Sequence, residues 1–245
     1  MDPVPLNHPM FAGGIARVIK SASEHFKEGD LVQGLINWQE YGVHEDTKLK
    51  KVPPYEFPQH YISIFGGTSL TAYFGLKEIG KPKSGETLVV SAAAGATGSV
   101  VCQLGKAWGM SVVGIAGAAD KCKWVEKDLG IPCINYKTAG KNLRDEIKKA
   151  CPNGIDVFFD NVGGEQLDTV FPLMNDFGRI VACGAISAYN NPEASHGLKN
   201  YTNVITKRLA YQGFIVLDYL HRTKEAIDEL TSMLAKKQLH IKEDI

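Results

Sequence analysis

Thr87-Leu-Val-Val-Ser-Ala-Ala-Ala-Gly-Ala-Thr-Gly98 is the stretch whose reading decides the fold. A short apolar, β-branched run empties into a turn of alanine and glycine. Ser99-Val-Val-Cys-Gln-Leu-Gly-Lys-Ala-Trp108 follows, with apolar residues at 100, 101, 104, 107 and 108. Those spacings line one face of a helix. Strand, glycine turn and helix in succession open a nucleotide-binding βαβ unit, where backbone N–H groups at a helix N-terminus meet a phosphate. The spacing is not GxGxxG, because Ala93 stands where the first glycine would be. Gly95 and Gly98 remain, and Gly98 lets the helix pack closely on the strand. Taken alone, the turn also suits a plain βα connection in a flavodoxin-like domain.

Strands and helices alternate downstream. Ser111–Ile115, Cys133–Asn135, Gly154–Phe159, Arg179–Cys183 and Leu209–Val216 read as strands. Ala119–Leu129, Leu143–Ala150, Gly164–Leu173 and Lys224–Leu234 read as helices, the last with Ile227, Leu230 and Leu234 on one face. With Thr87–Ser91 this predicts an α/β fold built on a doubly wound parallel sheet. Upstream, residues 1–10 are proline-rich and irregular, while Ala12–Ile19, Leu31–Ile36 and Trp38–Val43 suggest a small barrel-like β unit. Residues 44–58 form a polar connection carrying Pro53, Pro54 and Pro58. The expected division is therefore 1–58 and 59–245, with a connecting helix over 69–79.

The 27 basic and 27 acidic side chains balance, so no global field favours nucleic acid or an anionic membrane. No apolar run is long enough to cross a bilayer. Five cysteines without a CxxC pair fit reduced thiols, and Met1-Asp-Pro-Val-Pro-Leu lacks the features of a signal peptide, so the cytoplasm is expected by elimination. Seven histidines form no HxH or HExxH pair, and no metal site is expected.

The end of the second strand bears on which dinucleotide binds. An NAD site usually carries an acid there, on the ribose 2′-hydroxyl. Gly114-Ile-Ala-Gly-Ala-Ala119 offers none, and Asp120 and Lys121 follow. A bare tip with Lys121 would accept a 2′-phosphate. Lys121 also suits a solvated helix surface, and Asp120 an N-cap.

Five motifs in order, Ala92-Ala-Ala-Gly-Ala-Thr-Gly98, Ala116-Gly-Ala-Ala-Asp-Lys121, Asn135-Tyr-Lys-Thr138, Phe159-Asp-Asn-Val-Gly-Gly-Glu165 and Cys183-Gly-Ala-Ile-Ser-Ala-Tyr-Asn190, resemble the zinc-free medium-chain dehydrogenases/reductases. The likeness is to the branch of prostaglandin reductases (leukotriene B4 12-hydroxydehydrogenases) and alkenal double-bond reductases. Phe26-Lys-Glu-Gly-Asp-Leu-Val32 and Leu70-Thr-Ala-Tyr-Phe-Gly-Leu76 agree with it, whereas Phe65-Gly-Gly-Thr-Ser69 departs from the family's Gly-x-Pro-Gly-like run. The chain resembles a member shortened at both ends. The likeness implies a Rossmann domain after a partial GroES-like barrel, NADP(H) as cofactor, and a homodimer formed through the nucleotide-binding sheets.

Residue by residue, the resemblance implies that Gly95, Ala96, Thr97 and Gly98 lie under the pyrophosphate. Lys121 and Tyr136 would hold the 2′-phosphate, and Asn161 would bond the cofactor beside the fourth strand. Cys183, Gly184, Ala185, Ile186, Ser187 and Tyr189 would line the nicotinamide half, with Phe214, Ile215 and Val216 offering backbone groups to the carboxamide. Without the family, Tyr136 reads as a strand-end tyrosine on the core and Asn161 as a turn residue. Trp38, Tyr41 and Tyr73 suit either a substrate cleft or the core.

The implied reaction is NADPH-dependent reduction of a carbon–carbon double bond conjugated to an aldehyde or ketone. Such chemistry needs hydride placed at the β-carbon and a hydrogen-bond donor at the carbonyl oxygen, with no Lewis acid. Tyr189 is the candidate donor; its ring could instead only pack on the nicotinamide. A quinone reductase and a non-catalytic NADP-binding protein remain as alternatives.

Overall fold

Three short strands near the N-terminus, β1 (Gly13–Arg17), β2 (Leu31–Leu35) and β3 (Leu49–Val52), pair as an antiparallel sheet in that order. The structure, a computed structural model, describes residues 5–10, 12–190 and 196–243. The first four of the irregular residues 1–10 thus lie outside the described residues. Gly13 faces Leu35 and Leu31 faces Val52, which fixes the register of both pairs. Asp30 secures the turn into β2: its carboxylate accepts from the Lys27 N–H at 3.0 Å and from Lys51 Nζ at 2.6 Å. The Lys27 bond, ahead of the lysine charge, holds this carboxyl below the usual range.

The third strand is not where the sequence pattern put it. Residues 38–43 form no strand, and Trp38 and Tyr41 are each 75% exposed, because the run turns away at Asn37, whose φ is +61°. Leu49-Lys-Lys-Val52 takes the place instead, with both lysines exposed on an edge strand.

The chain divides into two compact units, Met1–Gly66 and Gly67–Ile245. The division falls after the 58/59 boundary because Pro58–Tyr61 makes a 3-10 turn tied to the first unit. Gln33 Nε2 donates to the Tyr61 carbonyl at 3.2 Å, and the Tyr61 hydroxyl to the Pro53 carbonyl at 3.1 Å.

The second unit opens with α1 (Gly67–Phe74), which continues as a wider π-helical turn over Gly75–Gly80. Then come β4 (Thr87–Ser91), α2 (Ala96–Ala107), β5 (Ser111–Ala116), α3 (Ala119–Lys127) and β6 (Cys133–Asn135). The short α4 (Tyr136–Ala139) and α5 (Leu143–Ala150) precede β7 (Ile155–Asp160), α6 (Gly164–Val170) and β8 (Met174–Ala182). The small α7 (Asn203–Thr206), β9 (Ala210–Gly213) and α8 (Thr223–Ala235) complete it.

All six strands β4–β9 are parallel, in the order β6-β5-β4-β7-β8-β9. The first strand in sequence therefore lies inside the sheet, and the order reverses beside it. Leu88, Val89 and Val90 of β4 are fully buried, each contributing about 2 kcal/mol relative to exposure. On one face the core joins Val89, Val113, Phe158 and Ile180 to Ile147 of α5 and Val170 of α6.

Helices α1 and α8 meet over a polar network. The Tyr73 hydroxyl donates to Glu229 Oε2 at 2.7 Å, Trp108 Nε1 donates to Glu229 Oε1 at 2.8 Å, and Lys77 Nζ lies 3.1 Å from Glu225 Oε1. Arg222 forks onto Glu225 at 2.9 and 2.8 Å and also reaches Glu78 at 2.7 Å. Burial pushes the Tyr73 hydroxyl up to about 12, while Arg222 brings Glu225 down to about 2. Tyr73 is thus a core residue, 1% exposed.

Candidate functional site

The C-terminal ends of the six parallel strands carry the segments of interest, which is where open α/β sheets bind ligands. At the tip of β4, Gly95 is the N-cap of α2 in extended conformation, and no side chain caps the helix. The first-turn N–H groups of Ala96, Thr97 and Gly98 are therefore left for an anion or water. A Cβ on Gly98 would sit 2.2 Å from the Ala92 carbonyl oxygen, so only glycine closes this turn. Ala93 serves at the first-glycine position, its N–H donating to the Ile115 carbonyl at 2.9 Å.

At the tip of β5, Ala116 pairs with Asn135 of β6. The Asn135 Oδ1 accepts from the Lys137 and Thr138 N–H groups, at 3.1 and 3.4 Å, and so caps α4, which carries Tyr136. The Tyr136 ring lies over Gly117: a Cβ there would be 2.6 Å from its Cε1 and 3.0 Å from its hydroxyl. Lys121, the third residue of α3, is exposed and forms no ion pair among the described residues. Asp120 is not the N-cap; Ala118 is, and Asp120 stands in the exposed first turn, where its charge favours the helix dipole.

At the tip of β7, Asn161 is tied to β4 twice. Its N–H donates to Ser91 Oγ and its Nδ2 to the Ser91 carbonyl, both at 2.8 Å. Beside it Asp160 is 2% exposed, and its Oδ1 accepts from Gly163 N–H (2.9 Å), Val162 N–H (3.0 Å) and Ser91 Oγ (3.1 Å). Burial raises this carboxyl group and the two N–H bonds oppose the rise.

The loop after β8 folds back onto that turn, and the Tyr189 hydroxyl oxygen accepts from the Ala185 N–H at 3.1 Å. Cys183, Gly184, Ala185 and Tyr189 line an open cleft of about 570 Å³ together with Phe214 and Ile215 beyond β9. Burial, with the Asp160 charge adding to it, pushes the Cys183 thiol up to about 11, which suits a wall and not a nucleophile. The Phe214 ring stands edge-on to Tyr219, at 6.5 Å, and Tyr219 stacks on Phe74 at 5.0 Å. Val216 begins a 3-10 turn and Ile186 and Ser187 are exposed on the loop, but none of these three lines the cleft.

The sequence patterns assign no role to two residues here, Ser91 and Asp160. An aspartate closing a strand before Asn-Val-Gly-Gly is an Asx-turn signal, and it could have singled out Asp160.

A doubly wound sheet in this order, with a small-residue turn at its reversal and an uncapped helix behind it, defines a dinucleotide-binding Rossmann domain. Residues 96–232 match the zinc-binding dehydrogenase model, and residues 1–52 that of the N-terminal domain of oxidoreductase. The chain is 38% identical to a 2-alkenal reductase (NADP(+)-dependent) of Nicotiana tabacum, over 97% of its own length and 69% of that protein. It is 38% identical to prostaglandin reductase 1 of Bos taurus, over 96% and 73%. Among solved structures, CurA of Vibrio vulnificus in complex with NADPH superposes with a TM-score of 0.92 at 37% identity, covering 100% of this chain and 74% of that one. The chain belongs to the zinc-binding dehydrogenase family, in its branch of NADP-dependent alkenal and prostaglandin reductases. The family's name implies zinc, but no three His, Cys, Asp or Glu side chains converge as a donor set among the described residues, so zinc has no fitting site in them.

Proposed function

We propose that this chain is an NADPH-dependent reductase of carbon–carbon double bonds conjugated to a carbonyl, acting on enals, enones or oxo-prostaglandin-like lipids. The strongest support is that the Gly95–Gly98 turn, Tyr136, Asn161 and the Cys183–Tyr189 cleft wall all lie along one edge of one sheet. These residues suit NADP(H). The open N–H groups of Ala96, Thr97 and Gly98 take the pyrophosphate, Lys121 and the Tyr136 hydroxyl take the 2′-phosphate, and no acid stands at the β5 tip to repel it. Asn161 and the wall from Cys183 to Tyr189 flank the nicotinamide half, and the backbone of Phe214–Val216 meets its carboxamide.

Bound NADPH supplies the hydride. The task of the chain's own residues is to hold the substrate's β-carbon in the cleft and to place a donor where negative charge gathers on the carbonyl oxygen. Tyr189 fills that role. Its oxygen already accepts the Ala185 N–H, which leaves the hydroxyl proton to be donated and polarises it. The names of the tobacco and bovine relatives favour the same bond class. The chain pairs with a second copy along β9, whose four residues are all exposed and which, among the described residues, bonds to β8 on one side only. Cytoplasmic residence suits its free cysteines, and no helix among the described residues is long and apolar enough to cross a membrane.

Titration of nicotinamide fluorescence with NADPH and NADH tests the cofactor reading. Lys121→Ala should cut the preference for NADPH about 30-fold, the worth of about 2 kcal/mol for a charge-assisted hydrogen bond. Equal affinity of the unmodified chain for both cofactors would remove the 2′-phosphate assignment. Oxidation of NADPH by a simple enone supports the reaction; turnover of a quinone alone moves it to quinone reduction, and binding without either leaves a nucleotide-binding protein.

A further inference from the structure

We infer that Asp160 is a positioning residue for the nicotinamide-side wall: its carboxylate holds the Asn161–Gly163 turn, and that turn holds the loop carrying Tyr189. The inference rests on the function proposed above for the meaning of that wall, and on hydrogen bonds alone for the linkage.

The carboxylate is buried, and no lysine, arginine or histidine pairs with it among the described residues. Three donors converge on the single oxygen Oδ1: the N–H groups of Val162 and Gly163 and the hydroxyl of Ser91. One oxygen thus fixes the turn at the end of β7 and joins it to β4. The turn's own carbonyls then face the next loop. Cys183 and Gly184 N–H donate to the Asp160 carbonyl at 2.9 and 3.1 Å, and Ile186 N–H to Asn161 at 3.4 Å. Ser187 reaches the Val162 carbonyl twice, through its N–H at 3.2 Å and its Oγ at 2.7 Å. Apart from bonds within itself, the 183–189 loop shows no other hydrogen-bond anchor among the described residues. Tyr189 is held in turn by Ala185. A shift of the turn therefore moves Tyr189, while the β5 and β6 tips, two and three strands from β7, are untouched.

Two substitutions separate the acceptor from the charge. Asp160→Ala strands the Val162 and Gly163 N–H groups without their acceptor. Asp160→Asn removes the charge but keeps an oxygen at the Oδ1 position. With NADPH and an enone, Asp160→Ala should lower kcat about 100-fold, the scale set by a misplacement of about 1 Å. Its affinity for adenosine 2′,5′-bisphosphate, which engages only the β4–β6 side, should stay within about twofold of the original, since additivity holds for separated sites. Amide hydrogen exchange at Ile186 and Ser187 should quicken in Asp160→Ala and stay slow in Asp160→Asn, which should also recover most of the turnover. Unchanged exchange in Asp160→Ala, or equal damage from both variants, would overturn the inference. If Asp160→Ala does not fold, Ser91→Ala, which takes one donor from the same oxygen and leaves the Asn161 N–H without its acceptor, must reproduce the pattern or the inference fails. Exchange and bisphosphate binding need no turnover, so they decide the linkage even if enone reduction itself proves wrong.

Discussion

The two ends of the cofactor edge are built on different principles. At the β5 and β6 tips, the proposed selectivity for NADPH would depend on space and charge: the room over Gly117, the ring of Tyr136 and an exposed Lys121 with no ion pair among the described residues. At the β7 and β8 tips, shape depends on a web of hydrogen bonds, most with main-chain partners, running from Ser91 through Asp160 and Asn161 to Ser187. The first kind of site can lose one element and keep the rest. In the second, one lost acceptor displaces several residues at once, because each bond supports the next.

The contrast can be broken at its hinge, the β4 turn that both ends share. Gly98→Ala forces a methyl group against the Ala92 carbonyl and should destabilise the second unit by about 3 kcal/mol, read by urea unfolding, with loss of binding at both ends. Tyr189→Phe sharpens the nicotinamide side: kcat with an enone should fall about 100-fold, worth about 2.7 kcal/mol, while NADPH affinity changes little. Unchanged turnover would remove Tyr189 from the reaction. Gly117→Ala sharpens the other side, pushing the Tyr136 ring off the tip and lowering NADPH affinity about tenfold with kcat preserved at saturation.

The smallest effect is expected away from the edge, in the network between α1 and α8. Arg222 holds Glu225 depressed from 4.5 to about 2, so its stabilisation is present above pH 4.5 and lost as pH falls toward 2. Because this carboxylate is about one-third exposed, water screens the pair, and the loss should stay within about 1 kcal/mol. An acid titration of Glu225→Gln that matches the unsubstituted chain would show that the pair contributes nothing.

Strong periodicity made most of the second unit legible. β4, β6 and α5 lie at the residues their apolar patterns mark, and the parallel run of the strands follows from their alternation with helices, whereas the strand order comes from the folded chain. β8 begins earlier than its apolar run, at Met174, because Asn175-Asp-Phe-Gly178 looks like a turn and Phe177 indeed has a φ of +61° within the strand. The first unit was harder. Leu49-Lys-Lys-Val52 hides a strand behind two lysines, and Trp38–Val43 alternates like a strand but pairs with no strand among the described residues and leaves Trp38, Tyr41 and Val43 exposed. At the proposed site, the motifs name side chains that the fold carries to the strand ends, whereas Asp160 and Ser91 act through bonds that only the folded chain brings together. Helix α3 caps itself through extended backbone at Ala118, so an acid two residues later was mistaken for its cap.

The wall from Cys183 to Ser187 is held through its main chain except at Ser187 Oγ, and a frame of that kind does not depend on the identity of the side chains it displays. Ala185 and Ile186 are exposed on it and could be exchanged for larger or more polar groups without disturbing the bonds that fix their Cα atoms. Under the proposed function, substrate range would diverge at those positions while the proposed chemistry keeps its place, and the loop would act as an interchangeable faceplate on a fixed mount.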